Sequence, residues 1–318
     1  MNTTSARKRT APWFQHGASH HVTLVTIPAA IVRSTRPARQ PRTCKRRKPR
    51  HHHAVRTRLI VTVLAACPAT SGADRVRDAV DAVPELGTVE HGRAHVVVRG
   101  ELGKAARREA LHIADEVIAD VERRFTRATT KADPTVTLCL MPNDARFLEV
   151  ARTFGEEPPS TWGFYRPDHR IAIINWGQSI GNLRHELVHP LIGDDFPAIP
   201  AWLNEGIAAL YGTARPTARG FEFLVNYRLR DLQHAIGKNE LPTVAELAIS
   251  TDADVYGPRA GVYYAMSRYV LLFVERSGKL SQLYGELRAA GDAAKQRDIL
   301  TRYVDDKQFV AWAKRLRL

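Results

Sequence analysis

The segment Leu183-Arg184-His185-Glu186-Leu187-Val188-His189 holds the side chains best suited to chemistry in this 318-residue chain. On a helix, His185 and His189 lie one turn apart on the same face, so both imidazoles can reach one metal ion. Glu186, beside the first histidine, is placed to accept a proton from water polarised by that ion. A catalytic zinc takes three protein ligands and keeps one position open, so a third ligand must come from further along the chain. Two carboxylates are candidates. Asp195 stands six residues after His189, in Gly193-Asp194-Asp195-Phe196-Pro197. Glu205 stands sixteen residues after it, in Ile199-Pro200-Ala201-Trp202-Leu203-Asn204-Glu205-Gly206. Pro200 suits the first turn of a new helix, and a helix returning antiparallel would aim Glu205 at the histidines. The plainer alternatives are a helix with two satisfied surface histidines and a solvent-facing Glu205.

The elements that must position these groups are legible in outline. From about residue 84 the pattern becomes globular. Residues 94–98 read as a strand ending at Gly100, and 104–125 as an amphipathic helix with Leu111, Ala114, Val117, Ile118, Val121 and Phe125 on one face. In 135–141, Val136, Leu138 and Leu140 alternate to one side, leaving Cys139 on the other as a packed thiol. A short helix over 144–154 follows, and then a hairpin of 163–165 and 170–175 joined by Arg166-Pro167-Asp168-His169. After Gly177 the chain reads as mainly helical to its end. This order predicts an α+β fold: a small mixed sheet with a helix packed on it, then a mainly helical C-terminal half, with the active-site helix between them.

The pair of motifs His185-Glu186-Leu187-Val188-His189 and Pro200-Ala201-Trp202-Leu203-Asn204-Glu205-Gly206 resembles the gluzincin zinc peptidases of the peptidase MA superfamily, in particular the bacterial peptidase MA-like group. The resemblance extends from about residue 163 to 291. It implies a Zn²⁺ held by His185, His189 and Glu205, with Glu186 as general base and a peptide or protein as substrate. It also implies that 170–175 is the edge strand that pairs with an extended substrate. Tyr264-Ala265-Met266-Ser267 falls where such proteins place a Tyr-x-x-Ser helix, which selects Tyr264 over Tyr263 as donor to the oxyanion of the tetrahedral intermediate. One departure stands out: thermolysin-like members carry an Asp four residues after the ligand Glu, and here that residue is Ala209. Another carboxylate or a backbone carbonyl must then orient His185.

Charge and the N-terminal segment bear on location. The chain carries 47 Lys+Arg against 33 Asp+Glu, a formal net charge of +14. Fourteen of those basic residues lie in residues 1–58, which contain no carboxylate, so the rest of the chain is neutral. A nucleic-acid-binding role would therefore reside in the tail alone, and nucleic acid is not the expected partner. The composition of 1–58 predicts disorder. Arg56-Thr57-Arg58, the apolar run 59–66, and Leu64-Ala65-Ala66-Cys67 resemble a bacterial lipoprotein signal with its lipobox, in which Cys67 is lipidated. That reading requires translation to begin further down, Val55 being an alternative start. The expected organisation is a basic tail (1–58), a signal-like segment (59–67), a linker (68–83) and a catalytic domain (84–318). The expected location is extracytoplasmic, lipid-anchored to the bacterial membrane, with a cytoplasmic location as the alternative. Three widely spaced cysteines exclude a disulfide framework. The remaining functional alternative is a catalytically inactive gluzincin-like binding protein of the cell envelope.

Overall fold

The computed structural model describes residues 72–126, 134–155, 158 and 160–318. The basic tail, the signal-like segment and Cys67 lie outside the described residues.

A five-stranded mixed sheet organises the N-terminal half. Its strands are β1 (Glu85–His91), β2 (Ala94–Gly100), β3 (Val136–Met141), β4 (Gly163–Arg166) and β5 (Ile171–Asn175), in spatial order β1-β2-β3-β5-β4. β2, β3 and β5 are parallel, and β1 and β4 run antiparallel at the two edges. Parallel neighbours need crossovers. The chain leaves β2 through α2 (Lys104–Arg124) and β3 through α3 (Asp144–Ala151). Period-two alternation then sorts the side chains. Val96, Val98, Leu138, Leu140, Ala172 and Ile174 join the large core under α2, while Cys139, Met141, Ile171 and Ile173 face a smaller one.

Helix α1 (Gly72–Asp81) seals that smaller core with Val76 and Val80, and Val83 follows just behind it. The stretch expected to be a linker, 68–83, thus contains a packed helix. The spacing of its valines is helical, but Arg75, Arg77, Asp78 and Asp81 between them give it a polar appearance. A second difference concerns the sheet edge. Residues 170–175 do not form it: β5 is flanked by β3 and β4, and all five of its residues are buried. The turn after β4, with Arg170 at φ 56°, folds Gly163–Arg166 back onto the free side of β5. An Ile-Ala-Ile-Ile run suits a strand covered on both faces better than an edge.

The C-terminal half is helical apart from a short ribbon of β6 (Arg215–Thr217) and β7 (Gly220–Glu222). Its helices are α4 (Ile180–Asp195), α5 (Ala201–Gly212), α6 (Leu229–Lys238), α7 (Val244–Ala248), α8 (Asp252–Val255), α9 (Ala260–Glu275), α10 (Leu280–Ala290), α11 (Ala293–Tyr303) and α12 (Asp306–Arg315). α5 is buried on nearly every side between α4 and α9. A Cβ at Gly206 would lie 2.7 Å from Leu271 Cδ1 and 3.1 Å from the Ser267 backbone, so this crossing requires glycine. Buried polar groups lock the same helices. The Asp120 carboxylate on α2 accepts from Tyr211 Oη of α5 at 2.7 Å and from Arg124 Nε at 3.0 Å. The fully buried Arg268 of α9 donates to the carbonyls of Ala209 and Leu224. Among the described residues, no helix is long and apolar enough to cross a membrane.

Candidate metal centre

The N-terminal cap of α4 is Ser179, whose hydroxyl accepts from the Gly181 amide, and the helix continues through Pro190 to Asp195. It therefore carries His185, Glu186 and His189 on one uninterrupted element. The two imidazole rings lie 5.0 Å apart at 81° to one another. α5 packs antiparallel against α4 and projects Glu205 between them. One ligand atom from each of His185, His189 and Glu205 lies within 4.8 Å of the others.

These three side chains fit a metal ion. Glu205 is buried, and its Oε2 accepts no well-formed hydrogen bond; His185 Nε2 stands 3.4 Å away. An acceptor left unsatisfied in the interior is costly unless something outside the protein's own hydrogen-bond inventory engages it. Two imidazole nitrogens and a carboxylate oxygen are the donor set of a catalytic zinc site with an open fourth position. His189 Nδ1 lies 3.1 Å from Asn204 Oδ1. An amide oxygen only accepts, so Nδ1 donates and Nε2 bears the lone pair.

The two carboxyl groups are pushed in opposite directions. Burial pushes Glu186 up to about 7, reinforced by the Glu205 charge and opposed by His189. Burial raises Glu205 as well, but His189, His185 and a hydrogen bond from Tyr256 outweigh it and leave the group at about 2. Carboxyl groups driven apart in this way can divide the roles of proton carrier and permanent anion. Glu186 also meets the sheet. A Cβ on Gly163 of β4 would stand 3.1 Å from Glu186 Cγ and 3.3 Å from its Oε1, so the edge strand runs close against this carboxylate.

Of the residues singled out in the sequence, the structure brings together His185, Glu186, His189, Glu205 and Tyr264. The Tyr264 ring packs 6.3 Å from that of Tyr256, and burial and the negative charge of Glu205 both push its pKa upward. Tyr263 faces elsewhere, its ring beneath Arg259 at 5.7 Å. Asp195, the other candidate ligand, is turned away at the end of α4, where it accepts from Tyr284 Oη at 2.8 Å and from Arg288. Two participants were not anticipated. Asn204 orients His189 through its side-chain oxygen. Tyr256, just past α8, donates to Glu205 Oε1 at 2.9 Å. Asn204 is recognisable only as the neighbour of Glu205, and nothing in the sequence around Tyr256 marks it.

No protein-family model matches the chain, and no curated protein matches it.

Proposed function

We propose that this protein is a zinc-dependent peptidase. The observation that carries the reading is the buried Glu205 oxygen without a hydrogen-bond partner, facing two histidines with Glu186 buried beside them. His185, His189 and Glu205 would hold the ion. Zinc, when bound, supplies a Lewis acid that polarises a carbonyl and lowers the pKa of water. The chain's own residues supply the rest. Glu186 takes the proton of the attacking water and returns it to the leaving amine, a task suited to a carboxyl group titrating near neutrality. Tyr256 and Asn204 fix the orientation of Glu205 and His189. Tyr264 is the donor for the oxyanion that develops on the former carbonyl oxygen. Gly163 lets the edge strand β4 run close beside the base, so that an extended peptide can lie along β4 rather than along 170–175.

Two measurements on the zinc-loaded full chain test this. The parent should cleave members of a peptide library, and Glu186→Gln should keep its zinc and fold while activity falls by about 10²–10⁴. A Glu186→Gln chain that cleaves as well as the parent removes Glu186 from the mechanism. We further propose, on the sequence around Cys67 alone, an extracytoplasmic enzyme anchored by a lipid on that cysteine. Mature protein from its native host should then begin at Cys67, and peptides from residues 1–50 in that material would contradict it.

A further inference from the structure

The region beside the candidate metal centre contains a cation with no counter-charge among the described residues. Arg228, in the turn before α6, is half-buried. Its guanidinium lies 5.0 Å from the ring centre of Tyr264 and 5.5 Å from that of Tyr227, an exposed side chain. Several other half-buried arginines meet a carboxylate: Arg124 meets Asp120 and Glu275, Arg170 meets Asp194, and Arg288 meets Asp195, while Arg184 donates to the Ala214 carbonyl. Among the described residues, Arg228 forms no ion pair and no side-chain hydrogen bond, only these two ring contacts. Aromatic rings hold the guanidinium by its face and leave its N–H edges free. Those edges form a fork matched to a carboxylate.

Its position connects this fork to the reaction proposed above. The Tyr264 ring beside this guanidinium also packs 6.3 Å from the ring of Tyr256, whose hydroxyl donates to Glu205. That places the guanidinium on the order of 10 Å from the candidate metal ligands, about three residues of extended peptide at roughly 3.3 Å each. We infer that Arg228 is a specificity-determining residue that binds a carboxylate of the substrate within about three residues of the scissile bond. The inference rests on the peptidase reading and names its substrate class: peptides that present a carboxylate near the scissile bond. The carboxylate can come from an Asp or Glu side chain or from the peptide's own C-terminus.

The test uses peptide hydroxamates, which bind through the metal, titrated against the zinc-loaded full chain by calorimetry. One arm compares Glu with Gln at each of the first three positions, all C-terminally amidated. The other compares free with amidated C-termini in neutral peptides of one, two and three residues. At one position in one arm, the acid should bind about 10–100-fold more tightly than its neutral twin. The arm that shows it identifies the source of the carboxylate. Arg228→Gln should reduce that ratio to about 1 while leaving the neutral compounds' affinity and the melting temperature unchanged, and Arg228→Lys should restore part of it. Hydroxamates that bind with no preference for acid, or a preference that survives in Arg228→Gln, would overturn the inference and leave the metal site standing. A chain that takes up no zinc and binds no hydroxamate would overturn the peptidase reading together with the inference.

Discussion

Glu186 and Glu205 have the same side chain and share one pocket, yet their surroundings hold them apart. Glu205 takes favourable charge from His189 and His185 and a hydrogen bond from Tyr256, whereas Glu186 has little besides His189 to offset its burial. The same contrast applies to the tyrosines. Tyr256 is committed to Glu205 Oε1, so Tyr264 is the hydroxyl with capacity to turn toward a substrate oxyanion. Tyr264→Phe should therefore lower kcat by about 10–10³ with little change in KM, as expected of a contact made in the transition state. A rise in KM with kcat intact would make Tyr264 a binding residue instead. At this scale the legible part of the site was the part on one helix. The spacing of His185 and His189 alone declares that they share a face. Glu205 needed its own context, and Tyr256 could not be found, because its approach depends on how a four-residue helix and its caps pack against α5.

At the scale of elements, the site depends on how closely α4, α5 and α9 approach. Gly206 follows the candidate ligand Glu205 directly and faces α9, where Ser267 and Leu271 crowd the position a side chain would take. Gly206→Val should lower stability by about 1–3 kcal/mol in urea unfolding and weaken metal binding, because separating the helices withdraws Glu205 from the histidines. Unchanged stability would mean that the crossing has slack. The mainly helical character of the C-terminal half was readable in the sequence. The strand β1 was not, since only Leu86 and Val89 of Glu85–His91 are buried and the register slips between Glu85 and Gly87. The order of β4 and β5 was also inaccessible. A hairpin pattern says that two strands pair, but not which of them continues into the sheet. That depends on β5 pairing in parallel with β3, a contact far apart in sequence.

For the molecule as a whole, a metal ion that binds the folded chain and not the unfolded one acts as a folding ligand. At a free zinc concentration 100 times Kd, this contributes about 2.7 kcal/mol. For a domain of this size that corresponds to a rise of roughly 5–10 °C in Tm. Chelation should reverse the rise, and a chain in which Glu205 is replaced should show little of it. The separation of a basic N-terminal segment from a neutral body was legible from composition alone. The placement of α1 against the sheet was not, because it depends on a second small core formed by Cys139, Met141, Phe147 and Phe164 from three other elements. Cys139 is inert there, its thiol pushed up to about 12 by burial.

The central claim is that His185, His189 and Glu205 form one zinc site. Metal analysis of the purified full chain and two variants tests it most directly. The parent and Asp195→Ala should each contain about one zinc per chain, and Glu205→Ala should lose most of it. Asp195→Ala carries its own fold control in circular dichroism, since it also removes the partner of Tyr284 and Arg288. Zinc retained by a folded Glu205→Ala chain and lost from a folded Asp195→Ala chain would contradict the account.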